Sequence, residues 1–247
     1  EIDFQKKRNN LTHLLTPKLL LKLSPGNMRK ENGGVRLTPI NAFNLERLNK
    51  INNFETGNTA TLGFDLNIKE KDTEKFNFSV AQIINEVENK KISSKTSLNE
   101  KLSDLVGTTS YNINERIKLT YNFSVDQNYQ ELNYNDFGSN FKFDNMDIDF
   151  NYIEEDKHIG NQEYFKTKVS YKNKDTNLIS FETKRNLITN SSEFYDLSYE
   201  YINDCLRAGL VYRREFYNDS ELEAENSLMF NITLTPFGNI NSPKFNR

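Results

Sequence analysis

With 247 residues, a net charge of -3 and a mean hydropathy of -0.76, the chain is long enough for one large all-β domain or two small ones, but it is too polar for an ordinary globular core. The charge balance leaves no nucleic-acid footprint, and no apolar run approaches the roughly 18 residues that a transmembrane helix requires. Twelve Tyr and 18 Phe argue against disorder.

In chain order, apolar runs alternate with period two from the first predicted strand almost to the last residue. On a strand that period gives one greasy face and one wet face. About twelve strands are predicted, near 16–24, 58–70, 74–84, 106–113, 115–126, 129–143, 146–154, 163–173, 176–186, 193–202, 205–216 and 225–235. The clearest are Thr59 to Ile68, Ile117 to Val125, and Leu228 to Leu234 with Met229 as its one exception. The longest break, 25–57, is punctuated by Gly26, Gly33, Gly34 and Pro39, with a short helix expected over 41–48 that sets Phe43, Leu45 and Leu48 roughly on one side. A second break, 85–105, is rich in Lys, Glu and Ser without alternation and reads as a solvated loop.

The tight links are Lys71-Asp72-Thr73, Asn112-Ile113-Asn114, Asp144-Asn145, Asn173-Lys174-Asp175 and Asn203-Asp204. Asn and Asp suit such turns because they tolerate left-handed backbone and form Asx-turns. Longer connections follow 24, 84, 154, 186 and 216, while the link at 126–129 is short where a long one is due. Outer-membrane barrels share this asymmetry, with short periplasmic turns and longer external loops. On that assignment strand 225–235 runs inward, the strand count is even, and Cys205 sits at the periplasmic rim. The fold class is therefore all-β, an antiparallel transmembrane barrel, with a soluble β-sandwich as the alternative. Alternation puts Asp147, Asp149, Asn151 and Lys166 on the lumen side. The aromatics Tyr195, Tyr199, Tyr201, Tyr212, Phe216 and Tyr217 fit girdles at the lipid interfaces.

Catalytic and metal chemistry find little support. His13 and His158 are the only histidines, stand far apart, and lack metal-ligand spacing. Ser170 and Ser180 lie in strands with nothing to tie them to a histidine, so no enzyme is expected. The acidic set Asp144, Asp147, Asp149, Glu154, Glu155 and Asp156 lacks calcium-loop spacing. No cofactor or metal is expected. Cys205 is the only cysteine: either an inert buried thiol or, in an oxidising compartment, one half of a bond to another segment or chain.

Four blocks resemble a known family in order and spacing. Thr12 to Leu19 followed by Ser24-Pro25 resembles the "H-x-L-x-P" strand start of the barrel of LptD, the lipopolysaccharide-assembly family of the outer membrane. Phe43 to Leu48 with Asn53 to Thr59 is similar to its "F-x-x-N-R-L … R-F-E-x-G-x-R" block, with Glu46 and Asn53 as departures. Tyr201 to Leu206 with Val211 to Glu215 resembles the segment around its paired cysteines, and Ile232 to Gly238 its terminal strand, with Pro236-Phe237 departing. The resemblance implies that residues 1–247 are the C-terminal portion of a larger outer-membrane barrel, with a periplasmic domain and about half the strands upstream. It implies transport of lipopolysaccharide into the outer leaflet through a lateral opening, without nucleic acid. It also implies a lumen plugged by an LptE-type lipoprotein, a periplasmic lipopolysaccharide-transport bridge on the N-terminal domain, and contact with outer-membrane lipid. For Cys205 it implies a disulfide to that N-terminal domain. A self-contained barrel, either a channel or a lipase-type enzyme, would instead pair strand 16–24 with strand 225–235. A half-barrel has two open edges, so the isolated segment is expected not to insert as a stable monomer.

Overall fold

The computed structural model describes residues 3–8, 10–33, 35–48, 53–71, 73–158, 160–173, 176–216, 225–234, 238–241 and 245–246. Gly34, Asp72, Lys174, Asp175, Tyr217, Thr235, Pro236 and Phe237, which the sequence reading places in a loop, turns, a girdle and the last strand, lie outside them. The architecture is all-β and antiparallel, with strands hydrogen-bonded in chain order. The strands are β1 (Phe4–Arg8), β2 (Leu11–Ser24), β3 (Gly57–Glu70), β4 (Thr73–Asn85) and β5 (Leu105–Asn114). They continue with β6 (Ile117–Val125), β7 (Leu132–Lys142), β8 (Met146–Glu155), β9 (Gln162–Asn173) and β10 (Asn177–Asn186). The last are β11 (Ser191–Ile202), β12 (Leu206–Glu215), β13 (Glu225–Leu234), β14 (Gly238–Asn241) and β15 (Phe245–Asn246).

All twelve predicted strands are present, and among the described residues three short strands, β1, β14 and β15, add to them. β1 is a polar strand, Phe-Gln-Lys-Lys-Arg, that carries no alternation to detect. β14 and β15 pair along β13, past the last strand expected from the sequence. β2 is paired on its two sides by β1 and β3, and β13 by β12 on one side and by β14 and β15 on the other.

The chain divides into two compact units: Glu1–Asn114 with Lys118–Phe137 and Ile153–Gln162, and Glu115–Ile117 with Gly138–Tyr152 and Glu163–Arg247. In the first, Leu19, Leu21 and Leu23 stand 60%, 67% and 77% exposed on one face of β2. Leu19 is opposite Leu62 on β3, and the same face continues across Phe64↔Val80 and Leu66↔Phe78. The other face carries Lys18↔Gly63, Leu20↔Thr61 and Lys22↔Thr59. Here the two long connections fold back onto the wall. Met28, Leu37, Ala42 and Leu48 from the first, and Ile92 and Leu98 from the second, bury against Ala81, Ile83 and Val106.

That packing overturns the solvated reading of 85–105: Glu86, Glu88, Lys90, Lys91, Lys95 and Lys101 stay outside while Ile92 and Leu98 are buried in the core, and Ser97–Asn99 forms a 3₁₀ turn. The helix expected over 41–48 is instead α1, Pro39–Ala42, started by proline at its first turn and by a Thr38–Asn41 capping box. Leu45, expected alongside Phe43 and Leu48, is exposed while Leu48 is buried. Gly63 permits the close approach: a Cβ there would lie 3.0 Å from the Phe43 ring and would run into the Val80 carbonyl.

In the second unit the two faces are rows across five strands. Val169, Phe181, Leu197, Tyr212 and Leu228 are successive partners on β9 to β13. One residue along, on the opposite face, run Lys168, Glu182, Asp196, Arg213 and Ser227. The connection after 186, expected to be long, is only four residues, Leu187 to Asn190, with Asn190 in left-handed backbone at φ 51. Asn203 makes the next turn by accepting the N–H groups of Cys205 and Leu206 at 3.0 and 2.7 Å.

Candidate functional site

The charged face of the second unit is a ladder of ion pairs. Lys166 Nζ lies 2.8 Å and Lys168 Nζ 3.3 Å from the two Glu182 oxygens. Arg213 donates to both Asp196 oxygens at 2.7 and 2.5 Å, and Arg207 binds both oxygens of Glu200. Fork-on-carboxylate geometry fixes these side chains as well as pairing their charge. Of the predicted lumen residues, Asp149 accepts a 2.6 Å hydrogen bond from Asn140, Asp147 is exposed two residues before it, and Asn151 is half-buried two residues after it. The opposite side of the same strands carries a run of aromatic contacts: Phe141 to Phe150 at 6.2 Å and Phe150 to Phe165 at 5.8 Å. Sequence alternation finds Asp149 and Lys166 but cannot name Glu182, Asp196 or Arg213 as partners, because pairing depends on register across a turn.

On the apolar face, Tyr195 stacks on Phe181 at 6.1 Å and meets Phe216 edge-on at 5.3 Å, at the loop end of β10 to β12. Tyr199 is at the other end of β11 and donates to Asn177 at 2.7 Å. Two aromatic levels on one apolar face are what a barrel wall presents to the two lipid interfaces. Cys205 is exposed in the β11–β12 turn with a free thiol. The six acidic residues scatter: Asp144 faces Arg116, Asp149 faces Asn140 and Glu155 faces Arg36. Among the described residues, no group of three or more His, Cys, Asp or Glu side chains is placed to share a metal.

In the first unit, buried charges fasten the first long connection to the wall. Lys22 Nζ is 2.9 Å from Glu55 Oε2, Arg47 Nη1 is 3.5 Å from Glu55 Oε1, and Arg47 Nη2 donates to Thr59 at 2.9 Å. Arg47 Nη1 is at ion-pair distance without a hydrogen bond. Burial pushes the Arg47 pKa down, and the Glu55 charge offsets part of that. Further along, Arg36 lies over the Tyr134 ring at 4.1 Å and pairs with the fully buried Glu155, which also accepts from Gln162 at 3.1 Å. Asp104, buried just before β5, accepts from Ser124 at 2.7 Å and Asn133 at 2.9 Å, with His158 Nε2 at 2.8 Å. Burial opposes its charge, but the hydrogen bonds from His158, Asn133 and Ser124 together prevail and hold its carboxyl below the usual range. His158 thus acts as a structural tie, and His13 is a β2 residue opposite Ile68.

A two-faced antiparallel wall, with tight turns at one end and long connections at the other, suits an outer-membrane barrel. The profile of the family described as LptD, LPS transport system D, matches residues 1–179. The chain belongs to the LptD family. Its place is the outer membrane, its fold is that family's antiparallel β-barrel, and its work is lipopolysaccharide transport and assembly. LptD is a transport and assembly family. No curated protein matches the sequence. Among solved structures, three mutants of the Rhodopseudomonas blastica porin align over 96% of this LptD-family chain and 91% of theirs, at 9% identity and TM-scores of 0.37, 0.37 and 0.38.

Proposed function

We propose that this chain is the wall segment along which the saccharide of lipopolysaccharide passes, while the acyl chains leave through a lateral opening into the bilayer. The observation that supports this reading is the pair of opposed rows on β9 to β13, apolar through Phe181, Leu197 and Tyr212 and ionic through Lys168, Glu182, Asp196 and Arg213. In water such an apolar face would exceed what soluble proteins expose. In lipid it is required, and the paired charges then face the polar route. Asp147, Asp149, Asn151 and Lys166 belong to the route-facing set. An LptE-type lipoprotein fills the lumen, and the upstream periplasmic domain connects to the transport bridge.

The tight-turn end is assigned to the periplasm, which puts Cys205 within reach of that domain for a disulfide that fixes its orientation. The test is gel mobility of the full-length parent from cell envelopes, reduced against unreduced, with Cys205→Ser alongside. A reduction-dependent shift that vanishes in the variant is expected; identical mobility in all lanes removes the disulfide. The route is tested with Glu182→Lys combined with Asp196→Lys in cells that depend on the altered copy. Surface lipopolysaccharide should fall while the folded barrel band persists, and unchanged surface lipopolysaccharide would reject the route.

A further inference from the structure

On the apolar face of β2 in the first unit, Leu23, Leu21, Leu19, Pro17 and Leu15 follow one another at every second residue, all exposed. From Leu23 to Leu15 they cover about 27 Å of strand at about 3.4 Å per residue. Strand tilt brings that close to the roughly 25 Å height of a barrel's apolar band. The next residue on the same face is His13. It is opposite Lys6 on β1 and Ile68 on β3, and the level continues through Phe76 on β4 to Tyr111 on β5. Phe76 and Tyr111 meet edge-on at 6.3 Å, and Phe4, opposite Leu15, is exposed. Aromatic rings gather at the boundary between acyl chains and headgroups. The apolar face therefore ends at a headgroup level. This is the tight-turn end, where β1 passes to β2 between Arg8 and Leu11 and β3 to β4 between Glu70 and Thr73.

Two cations and an imidazole stand at that level. Lys6 and Arg8 are exposed and two residues apart, so they share one face at about 7 Å along β1. Lys6 and His13 are direct cross-strand partners, which sets their Cβ atoms about 4.5–5.5 Å apart. Among the described residues, none of the three makes an ion pair. The carboxylate of this face at the same end, Glu70, is opposite Leu11 and already matched by Lys75 at 3.3 Å. Asp3 lies on the other face, where it accepts from Thr16 at 2.7 Å. Clustered cations repel one another, and an anion between them relieves the repulsion. On the outward face of a barrel wall, that anion comes from lipid. A zwitterionic headgroup would bring an ammonium that finds no free carboxylate here. An anionic phosphodiester brings only the charge that Lys6 and Arg8 match, and the His13 imidazole adds a hydrogen-bond donor.

We infer that Lys6, Arg8 and His13 form a site on the outside of the barrel wall for the headgroup of an anionic phospholipid of the phosphatidylglycerol type in the periplasmic leaflet. The inference rests on the proposed orientation, with the apolar face to lipid and the tight turns to the periplasm, and it concerns a resident lipid and not the transported one. The test titrates the full-length protein in detergent with phosphatidylglycerol and counts bound lipid by native mass spectrometry, with phosphatidylethanolamine and lipid A in parallel. Phosphatidylglycerol should bind more tightly than phosphatidylethanolamine. Lys6→Gln with Arg8→Gln should weaken it about fivefold for each cation removed, roughly 1 kcal/mol apiece. Lys7→Gln, the neighbour on the opposite face and across from Thr12, should leave binding unchanged. Arg8→Gln alone serves if the double variant lacks the folded band. The site is overturned if phosphatidylglycerol binds no more tightly than phosphatidylethanolamine, if the folded variant binds as wild type does, or if Lys7→Gln weakens binding equally. Those outcomes leave the orientation standing. Lipid A bound through Lys6 and Arg8 in place of phosphatidylglycerol would overturn both, because it would put the tight-turn end in the outer leaflet.

Discussion

The two units build the same kind of wall by different means. In the first, the polar face is roofed by two long connections that bring six apolar side chains against Ala81, Ile83 and Val106 of the wall and bury ions beneath them. In the second, the polar face is held by side-chain pairs in its own plane: Glu182 and Asp196 keep 19% and 13% side-chain exposure, and their cationic partners 30% to 44%. The difference teaches that charge has opposite leverage in the two places. A buried ion deprived of its partner costs several kcal/mol, whereas an exposed pair contributes little.

The largest expected effect follows from Glu55→Ala. It leaves Lys22 and Arg47 buried without their carboxylate, at a cost of about 3–5 kcal/mol. Limited proteolysis of the folded barrel should then cut within 25–56, where wild type resists. If the variant resists equally, the roof does not depend on this cluster. Next comes Leu98→Ala, which empties a fully buried position from the other connection and should cost about 2–5 kcal/mol. The expected readout is a lowered midpoint for loss of heat-modifiable mobility; an unchanged midpoint would mean that the second connection is not part of the core.

A smaller effect is set by pH. Asp104 holds its folded-state pKa below its unfolded value, so its contribution is complete above the unfolded value of about 3.9. It is lost as pH falls through the lower, folded value. The ties from Ser124, Asn133 and His158 should loosen only in strong acid, and Asp104→Asn should remove that part of the acid dependence at a cost of about 1–3 kcal/mol. Hydrogen exchange of the 156–161 connection reports it, and the same acid profile in wild type and variant would contradict it.

The contrast between the units also explains what could be read from sequence. Alternation revealed twelve of the strands, because burial on one side writes a period of two. It failed at β1, whose Gln-Lys-Lys-Arg has no apolar face, and at the roof. Ile92 and Leu98 are isolated apolar residues in a Lys- and Ser-rich run, and their burial is decided by a partner surface far along the chain. The buried ions were equally hidden. Arg47 and Glu55 sit within blocks that resemble the LptD family, which is the one signal that could have flagged them, but their pairing comes from the fold. Asp149 and Lys166 were legible as face residues, whereas their partners Asn140 and Glu182 required the register.

The smallest effect sharpens the comparison most. Lys166→Ala removes a cation 42% exposed, from a carboxylate that retains Lys168 at 3.3 Å. An exposed pair contributes about 0–1 kcal/mol, and here a second lysine covers the loss, so barrel stability should hardly move. The salt dependence of the unfolding midpoint should fall slightly, since screening acts on exposed pairs far more than on buried ones. Glu55→Ala under the same salt series should be nearly insensitive. A Lys166→Ala loss as large as that of Glu55→Ala would mean that the ladder of the second unit is covered in the assembled barrel, and that the two units are not built differently after all.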